Sequence, residues 1–156
     1  MQGIKVKERR ECELFIDFVD YCIKTSPGKV SAAFPAEYIN SERLRLDFYR
    51  RLALLETQEE IDQLRKELTD RFGRLPQEAE NLLLCGEIRV LGISEKIDSI
   101  SCTDNKVVMQ KGPSIVRPRG KLPVLPEGLD PETRLKFLKL VLMRDLQGIN
   151  IQEKAK

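Results

Sequence analysis

The sequence predicts an α+β domain, in which an N-terminal strand and a later β-hairpin form a small antiparallel sheet packed with about four helices. Three observations predict this fold. Residues 11–23 alternate between apolar and polar side chains with the period of a strand. Residues 40–92 and 130–147 repeat apolar side chains at helical spacing. Between them, residues 97–110 form two short strand-like runs around a turn pair.

The N-terminal strand has one apolar side, formed by Cys12, Leu14, Ile16 and Phe18. The apolar phase then moves to Val19, Tyr21 and Ile23, which predicts a bulge or a strand end near Val19. Residues 24–35 contain Pro27-Gly28 and Pro35 and are expected to form a connecting loop.

The first helix is expected to begin at Asn40 or Ser41, either of which can cap it, and to end near Glu56. Its inward stripe is Leu44, Phe48, Leu52 and Leu55. The second helix is expected to open at Thr57, since Thr57 and Glu60 have the spacing of a capping box. Its stripe is Ile61, Leu64, Leu68 and Phe72, and it is expected to stop at Gly73.

The third helix is expected to begin with Pro76 at its first position and to end before Gly92. The hairpin follows, with Asp104-Asn105 as a turn pair that accepts positive φ angles. Residues 111–128 carry four prolines, which predicts a stretch without a regular element. A last helix opens at Asp130-Pro131 and runs to about Gln147. It is apolar around most of its circumference, so we expect it to be sheltered by the sheet or by a partner.

Composition narrows the possible functions. One third of the residues are charged, yet the net charge is only +2, so a general attraction to nucleic acid or membrane is not expected. Histidine is absent, and the four cysteines are far apart without a C-x-x-C pair. We therefore predict three or four buried free thiols, no catalytic site, no metal and no cofactor. With neither a signal peptide nor a membrane-length apolar run, the expected location is the reducing cytoplasm, without membrane contact.

The boundaries follow from the same pattern. Residues 1–10 are expected to be a flexible linker, residues 11–150 one domain, and residues 151–156 a tail.

The second helix carries the most specific charged pattern. If Leu68 points inward, Asp70 lies almost opposite it, and Glu67 and Arg71 lie on the flank, four residues apart, where they can pair. The alternative is an ordinary solvated face with one salt bridge worth about 0.3–0.5 kcal/mol.

A second candidate is a basic stretch without acids, formed by Lys111, Arg117, Arg119 and Lys121. As a mobile loop it could contact nucleic acid or a protein partner, or it could simply be a solvated loop.

The run from Glu67 to Pro76, Glu-Leu-Thr-Asp-Arg-Phe-Gly-Arg-Leu-Pro, closely resembles the C-terminal domain of bacterial transcription-repair coupling factors. Arg43-Leu44 and Phe48-Tyr49-Arg50-Arg51 belong to the same pattern, which extends from about Phe34 to Ile93 and resumes at residues 133–137. Between these stretches the family carries a further helix and strand, where this chain has the proline-rich segment 111–128.

The resemblance implies a non-catalytic regulatory module. In that family the domain docks on the UvrB-homology module of its own polypeptide and hides the surface that recruits UvrA, while other domains reach RNA polymerase and DNA. The implied contact residues fall here on Glu67, Asp70 and Arg71. The family's ATP-driven motor has no counterpart in these residues. The alternative function is an accessory nucleic-acid-binding domain that uses the basic stretch 111–121.

Overall fold

A computed structural model describes residues 11–23 and 26–148, and within them it shows four helices and two small sheets, which confirms the α+β class. The predicted linker 1–10 and tail 151–156 lie outside these residues. The strands are β1 Glu13–Ile16, β2 Val19–Asp20, β3 Val30–Ser31, β4 Ser99–Thr103, β5 Lys106–Lys111 and β6 Ser114–Val116. The helices are α1 Glu42–Leu54, α2 Gln58–Phe72, α3 Gln77–Ser94 and α4 Pro131–Gln147.

The main sheet is mixed, with strand order β1-β4-β5-β6. The predicted hairpin is confirmed, since β4 and β5 pair antiparallel around Asp104 (φ 49°) and Asn105 (φ 66°). The N-terminal strand joins it as expected, but it pairs with β4 in parallel, so the prediction of an antiparallel sheet is wrong at this edge. The three helices between β1 and β4 carry the chain back to the starting end of β1, which a parallel pairing requires.

The predicted break near Val19 is confirmed. Strand β1 ends at Ile16, and β2 begins at Val19 and pairs in parallel with β3, which lies inside the predicted loop. Val19 is buried, whereas Tyr21 and Ile23 are about half exposed and do not continue the core side.

Helices α1 and α2 begin where their caps predict. The Ser41 hydroxyl accepts the Leu44 N–H (3.2 Å) and thereby caps α1. Thr57 and Glu60 form the predicted reciprocal capping box at the start of α2. Both helices turn their predicted apolar stripes into the core, and Gly73 ends α2 with a φ of 88°.

Helix α3 differs from its prediction at both ends. Pro76 is the cap residue rather than the first helical residue, and the helix runs through Gly92 to Ser94. Gly92 is buried, and a Cβ built on it would lie 2.5 Å from Cys12 Sγ and 3.1 Å from Ile100 Cδ1. This glycine therefore allows Cys12, which precedes β1, and strand β4 to approach the helix closely, and it does not act as a stop signal.

The proline-rich stretch 111–128 is more regular than predicted. It contains β6, which pairs antiparallel with β5, and a 3₁₀ turn at Pro118–Gly120. The prolines flank β6, so its three residues keep the backbone N–H groups that pairing needs. The prediction of a stretch without a regular element is therefore wrong for these residues.

Helix α4 begins and ends as predicted, with Asp130 as its cap. Its buried residues are Leu135, Leu138, Val141 and Leu142. Lys136 is exposed, whereas Lys139 pairs with Glu87 of α3 (3.2 Å), so α3 and the rest of the core shelter the apolar surface. No helix among the described residues is long and apolar enough to cross a membrane.

Candidate partner-binding site

Glu67 on α2 lies between two arginines of its own chain. Its carboxylate accepts two hydrogen bonds from Arg51 on α1, with Nη1–Oε2 and Nη2–Oε1 distances of 2.7 and 2.6 Å. Arg71, one turn further along α2, lies 3.3 Å from the same carboxylate, which confirms the predicted pair. One carboxylate thus links α1 to α2 and also holds Arg71 in place.

Aromatic rings support both guanidinium groups. The Arg51 and Arg71 guanidinium carbons lie 5.0 and 5.4 Å from the centre of the buried Phe48 ring, and Arg71 is also 5.1 Å from the ring of Phe72. The two rings meet edge to face at 5.7 Å. Cations over ring faces are attracted by the ring quadrupole, so the rings restrict the directions the arginines can take.

Tyr38 fixes the end of α2 that carries this network. Its hydroxyl lies 3.1 Å from the Leu68 carbonyl oxygen and 2.8 Å from that of Gly73, two carbonyls at the helix C-terminus. Its ring lies 5.7 Å from the ring of Phe72. The hydroxyl therefore partly satisfies a helix end that would otherwise depend on water.

The electrostatics agree with the geometry. The hydrogen bonds from Arg51, followed by the interaction with Arg71, lower the pKa of Glu67 to about 2. The same contact with Glu67 raises the pKa of Arg51. Glu67 and Arg51 therefore both stay charged over the whole physiological range.

Asp70 is the predicted site residue that does not belong to the Arg51–Glu67–Arg71 network. Leu68 is fully buried and Asp70 is exposed, as the helical spacing predicts. Asp70 forms no hydrogen bond or ion pair with another described residue, so it remains available to a partner. Its predicted partner-binding role, like that of Glu67 and Arg71, remains a prediction.

Sequence reasoning did not assign Arg51 or Tyr38 to the site, although Arg51 belongs to the matched family pattern. Arg51 adjoins the inward stripe of α1, so its position beside Leu52 pointed toward a neighbouring helix. Nothing in the sequence indicated which acid it would meet. Tyr38 gave no local signal, because its hydroxyl contacts residues thirty or more positions away.

The basic candidates lie elsewhere, along the edge of the main sheet. All four are exposed: Lys111 ends β5, Arg117 follows β6, Arg119 lies in the 3₁₀ turn and Lys121 follows it. Arg119 has an acidic neighbour that the local sequence did not show, since its Nη2 lies 3.8 Å from Asp145 Oδ1 on α4.

The arrangement on α1 and α2 suits binding. Three charged groups on α1 and α2 are linked to one another, and Asp70, also on α2, forms no ion pair with any of the residues described above. Among residues 11–23 and 26–148, no group of three or more Cys, Asp or Glu side chains is placed to hold a metal ion.

Comparison with solved structures first defines the class of fold. The chain superposes on the crystal structure of the C-terminal domain of transcription-repair coupling factor with a TM-score of 0.62, over 90% of this chain and 97% of that one. The sequences are 17% identical in this comparison, so the likeness shows a shared fold.

Comparison of the sequence with known families identifies the family of this chain. The family model described as TRCF domain matches residues 29–117, and the chain belongs to this family. It is 44% identical over 63 residues to the transcription-repair-coupling factor of Haemophilus influenzae, and 45% identical over 62 residues to that of Mycobacterium tuberculosis. Each match covers 40% of this chain but only 6% and 5% of the relative. The matched part is therefore a small fraction of a much longer protein.

Proposed function

We propose that this chain is the regulatory docking module of a bacterial transcription-repair coupling factor and acts in the cytoplasm in transcription-coupled DNA repair. It binds the UvrB-homology module of the same polypeptide and hides the surface that recruits UvrA. It performs no chemistry itself; the ATP-driven motor belongs to other domains of the parent protein, and those domains also contact RNA polymerase and DNA.

Family membership supports the assignment to a coupling factor, and one observation supports the docking surface. Asp70 is an exposed carboxylate that forms no ion pair with any residue the structure describes, and it lies on a helix whose orientation is fixed by the Arg51–Glu67–Arg71 network. A free charge on a preorganised surface can pair with a cation of a partner without first breaking an internal contact.

The network gives each family residue a distinct task in this proposal. Glu67 orients Arg71 and fixes α2 against α1, while Arg71 and Asp70 meet the partner. Polar contacts of this kind allow release, which a masking module requires. A bias of roughly 2–3 kcal/mol toward the docked state would keep the open form near one per cent and still accessible.

A titration of the chain against the UvrB-homology module, followed by calorimetry, tests the proposal. We compare the wild-type chain, Asp70→Arg and the matched control Glu127→Arg, which makes the same charge change at another exposed residue. We expect micromolar binding that is lost in Asp70→Arg and retained in Glu127→Arg, with equal melting temperatures for all three.

Two results would contradict the proposal. Equal affinity for the wild type and Asp70→Arg would remove Asp70 from the interface. Absence of binding by the wild type, both in trans and when the two modules are joined by a flexible linker, would exclude docking altogether, because the linker supplies the effective concentration of the parent protein.

A further inference from the structure

Positive charge is concentrated at one edge of the sheet. Residues 105–126 hold five lysines and arginines and no acidic residue, whereas the formal charge of the whole chain is only +2. The five are Lys106, Lys111, Arg117, Arg119 and Lys121. The remainder of the chain is therefore net acidic, and the positive field is local to strands β5 and β6 and the segment that follows them.

The segment after β6 is anchored at both ends. Strand β6 pairs with β5 up to Val116, opposite Met109. The chain then leaves the sheet and returns to the same edge of β5, where the Val107 N–H donates to the Pro123 carbonyl (2.9 Å) and the Leu125 N–H donates to the Asn105 carbonyl (2.7 Å). Residues 117–122 are thus a protrusion from an edge strand.

Two further hydrogen bonds stiffen this protrusion internally. The Gly120 N–H donates to the Arg117 carbonyl (2.8 Å), and the Lys121 N–H donates to the Pro118 carbonyl (3.1 Å). The side chains of Arg119 and Lys121 therefore project from a backbone that is already ordered, and binding a ligand there costs less conformational entropy.

A cavity of about 210 Å³ lies between the protrusion and the end of α4. Three of its lining residues are cations and one is an acid, namely Arg119, Lys121, Arg144 and Asp145. The rest of the wall is formed by Pro118, Leu122, Pro123 and Val124. The cavity has room for one phosphate group, and the charges on its wall suit an anion.

Asp145 contacts two of the three cations of this cavity, Arg119 and Arg144. Its side chain is only 1% exposed, and its two oxygens accept hydrogen bonds from Arg144 Nε (2.7 Å) and Nη2 (3.1 Å). Arg119 Nη2 lies 3.8 Å from the same carboxylate, while the Arg119 side chain is 71% exposed. One buried carboxylate thus sets two guanidinium groups side by side and cannot neutralise three cations, so most N–H groups of Arg119 remain available.

We infer that this cavity binds a backbone phosphate of a nucleic acid, held by Arg119, Lys121 and Arg144, with Asp145 as the residue that positions the two arginines. Guanidinium groups match phosphate oxygens geometrically and stay charged. Lys106, Lys111 and Arg117 continue the positive charge along the same sheet edge, so a linear polyanion can make more than one phosphate contact. This inference uses β5, β6 and α4 and is independent of the docking surface on α1 and α2.

The binding should be weak and independent of base sequence, because only phosphate contacts are available. Dissociation constants of roughly 1–100 µM are typical of such contacts at physiological salt. Each phosphate contact should add about one to the slope of log affinity against log salt concentration.

The test is fluorescence anisotropy of a labelled DNA duplex with the full chain, between about 50 and 200 mM salt. The variant Arg119→Ala/Lys121→Ala is compared with the matched control Arg43→Ala/Lys66→Ala, which removes an exposed arginine and an exposed lysine from α1 and α2. We expect the salt slope to fall by about two in the first variant and to stay unchanged in the control. Equal losses in both variants would overturn the inference, since net charge alone would then explain binding.

Asp145→Asn tests the positioning role separately. A purely electrostatic effect predicts tighter DNA binding, because the substitution removes a negative charge; loss of positioning predicts weaker binding. We expect weaker binding with a salt slope closer to that of Arg119→Ala/Lys121→Ala. Tighter binding would overturn the role of Asp145, and binding to phosphatidylglycerol vesicles without binding to DNA would overturn the assignment to nucleic acid.

Discussion

Arg51 on α1 and Glu67 on α2 are joined by two parallel N–H···O bonds of 2.7 and 2.6 Å. The bidentate geometry fixes the relative rotation of the two helices as well as their distance. Arg71 lies against the same carboxylate, so the orientation of the proposed docking surface depends on this pair.

The first prediction concerns acid stability. The pKa of Glu67 is about 2 in the folded chain against an ordinary value of 4.5, so its stabilising effect is fully present above about pH 4.5 and is lost as the pH falls through 2. About a third of its side chain is exposed, so solvent screening limits the contribution to about 1 kcal/mol. Urea denaturation at neutral pH and at about pH 3 should show a smaller acid loss for Glu67→Gln than for the wild type.

The matched control for this prediction is Glu127→Gln, which removes an exposed loop carboxylate. It should keep the acid loss of the wild type. The same acid loss in Glu67→Gln and in the wild type would mean that the ion pair does not stabilise the fold in solution.

The second prediction compares two tyrosine hydroxyls. Tyr38→Phe removes a donor shared by two carbonyls at the end of α2, one of them at the exposed Gly73, and should cost about 0.5–1.5 kcal/mol. Tyr49→Phe should cost more, because the Tyr49 oxygen accepts the N–H of the buried Phe34 (2.7 Å) and its loss leaves that donor unsatisfied. Denaturation midpoints measure both, and a larger cost for Tyr38→Phe would contradict this ranking.

The third prediction concerns the thiols. Cys22 is exposed, whereas the other three are buried. Burial raises the pKa of Cys12 and Cys85 to about 12 and that of Cys102 to about 11, which keeps them protonated as well as inaccessible. Ellman's reagent should therefore titrate one thiol rapidly in the native chain and all four in denaturant. Cys22→Ser should abolish the rapid phase, and a second rapidly reacting thiol would show that a buried cysteine is accessible in solution.

The elements that the sequence predicted correctly are those with local signals. Ser41 caps α1, and Thr57 with Glu60 forms the capping box of α2 within four residues of chain. The turn at Asp104-Asn105 is equally local. Local signals could not predict that β1 pairs with β4 in parallel, because the paired residues are more than eighty positions apart. The relative direction of the two strands depends on the path of the three helices between them.

In the candidate site, too, only the contacts between neighbouring residues could be predicted from the sequence. The Glu67–Arg71 pair and the exposure of Asp70 follow from helical spacing alone. The Arg51–Glu67 bond depends on how α1 packs against α2, and the contact between Arg119 and Asp145 depends on where the segment after β6 meets α4. Such contacts between distant segments carry no sequence periodicity, so only the folded chain shows them.

The fourth prediction concerns Gly92, which lies inside α3, although the sequence pattern predicted that the helix ends before it. Gly92→Ala would set a Cβ 2.5 Å from Cys12 Sγ, a distance that real Cβ atoms essentially never adopt. The resulting overpacking costs about 1–3 kcal/mol, against a gain of about 1 kcal/mol in helix propensity. The net effect on the free energy of unfolding should be a loss of up to about 2 kcal/mol, measured by urea denaturation.

Two further variants separate packing from helix propensity. Gly86→Ala makes the same change in α3, but its Cβ would meet only the ends of the Leu52 and Ile61 side chains, at 3.0 and 3.2 Å, which can shift. It should therefore cost less than Gly92→Ala. In a Cys12→Ala background the sulfur is gone, so adding Gly92→Ala should cost at least about 1 kcal/mol less than it does in the wild type. Strict additivity of the two substitutions would show that Cys12 does not cause the cost of Gly92→Ala. The contact with Ile100 on β4 would then be the remaining cause.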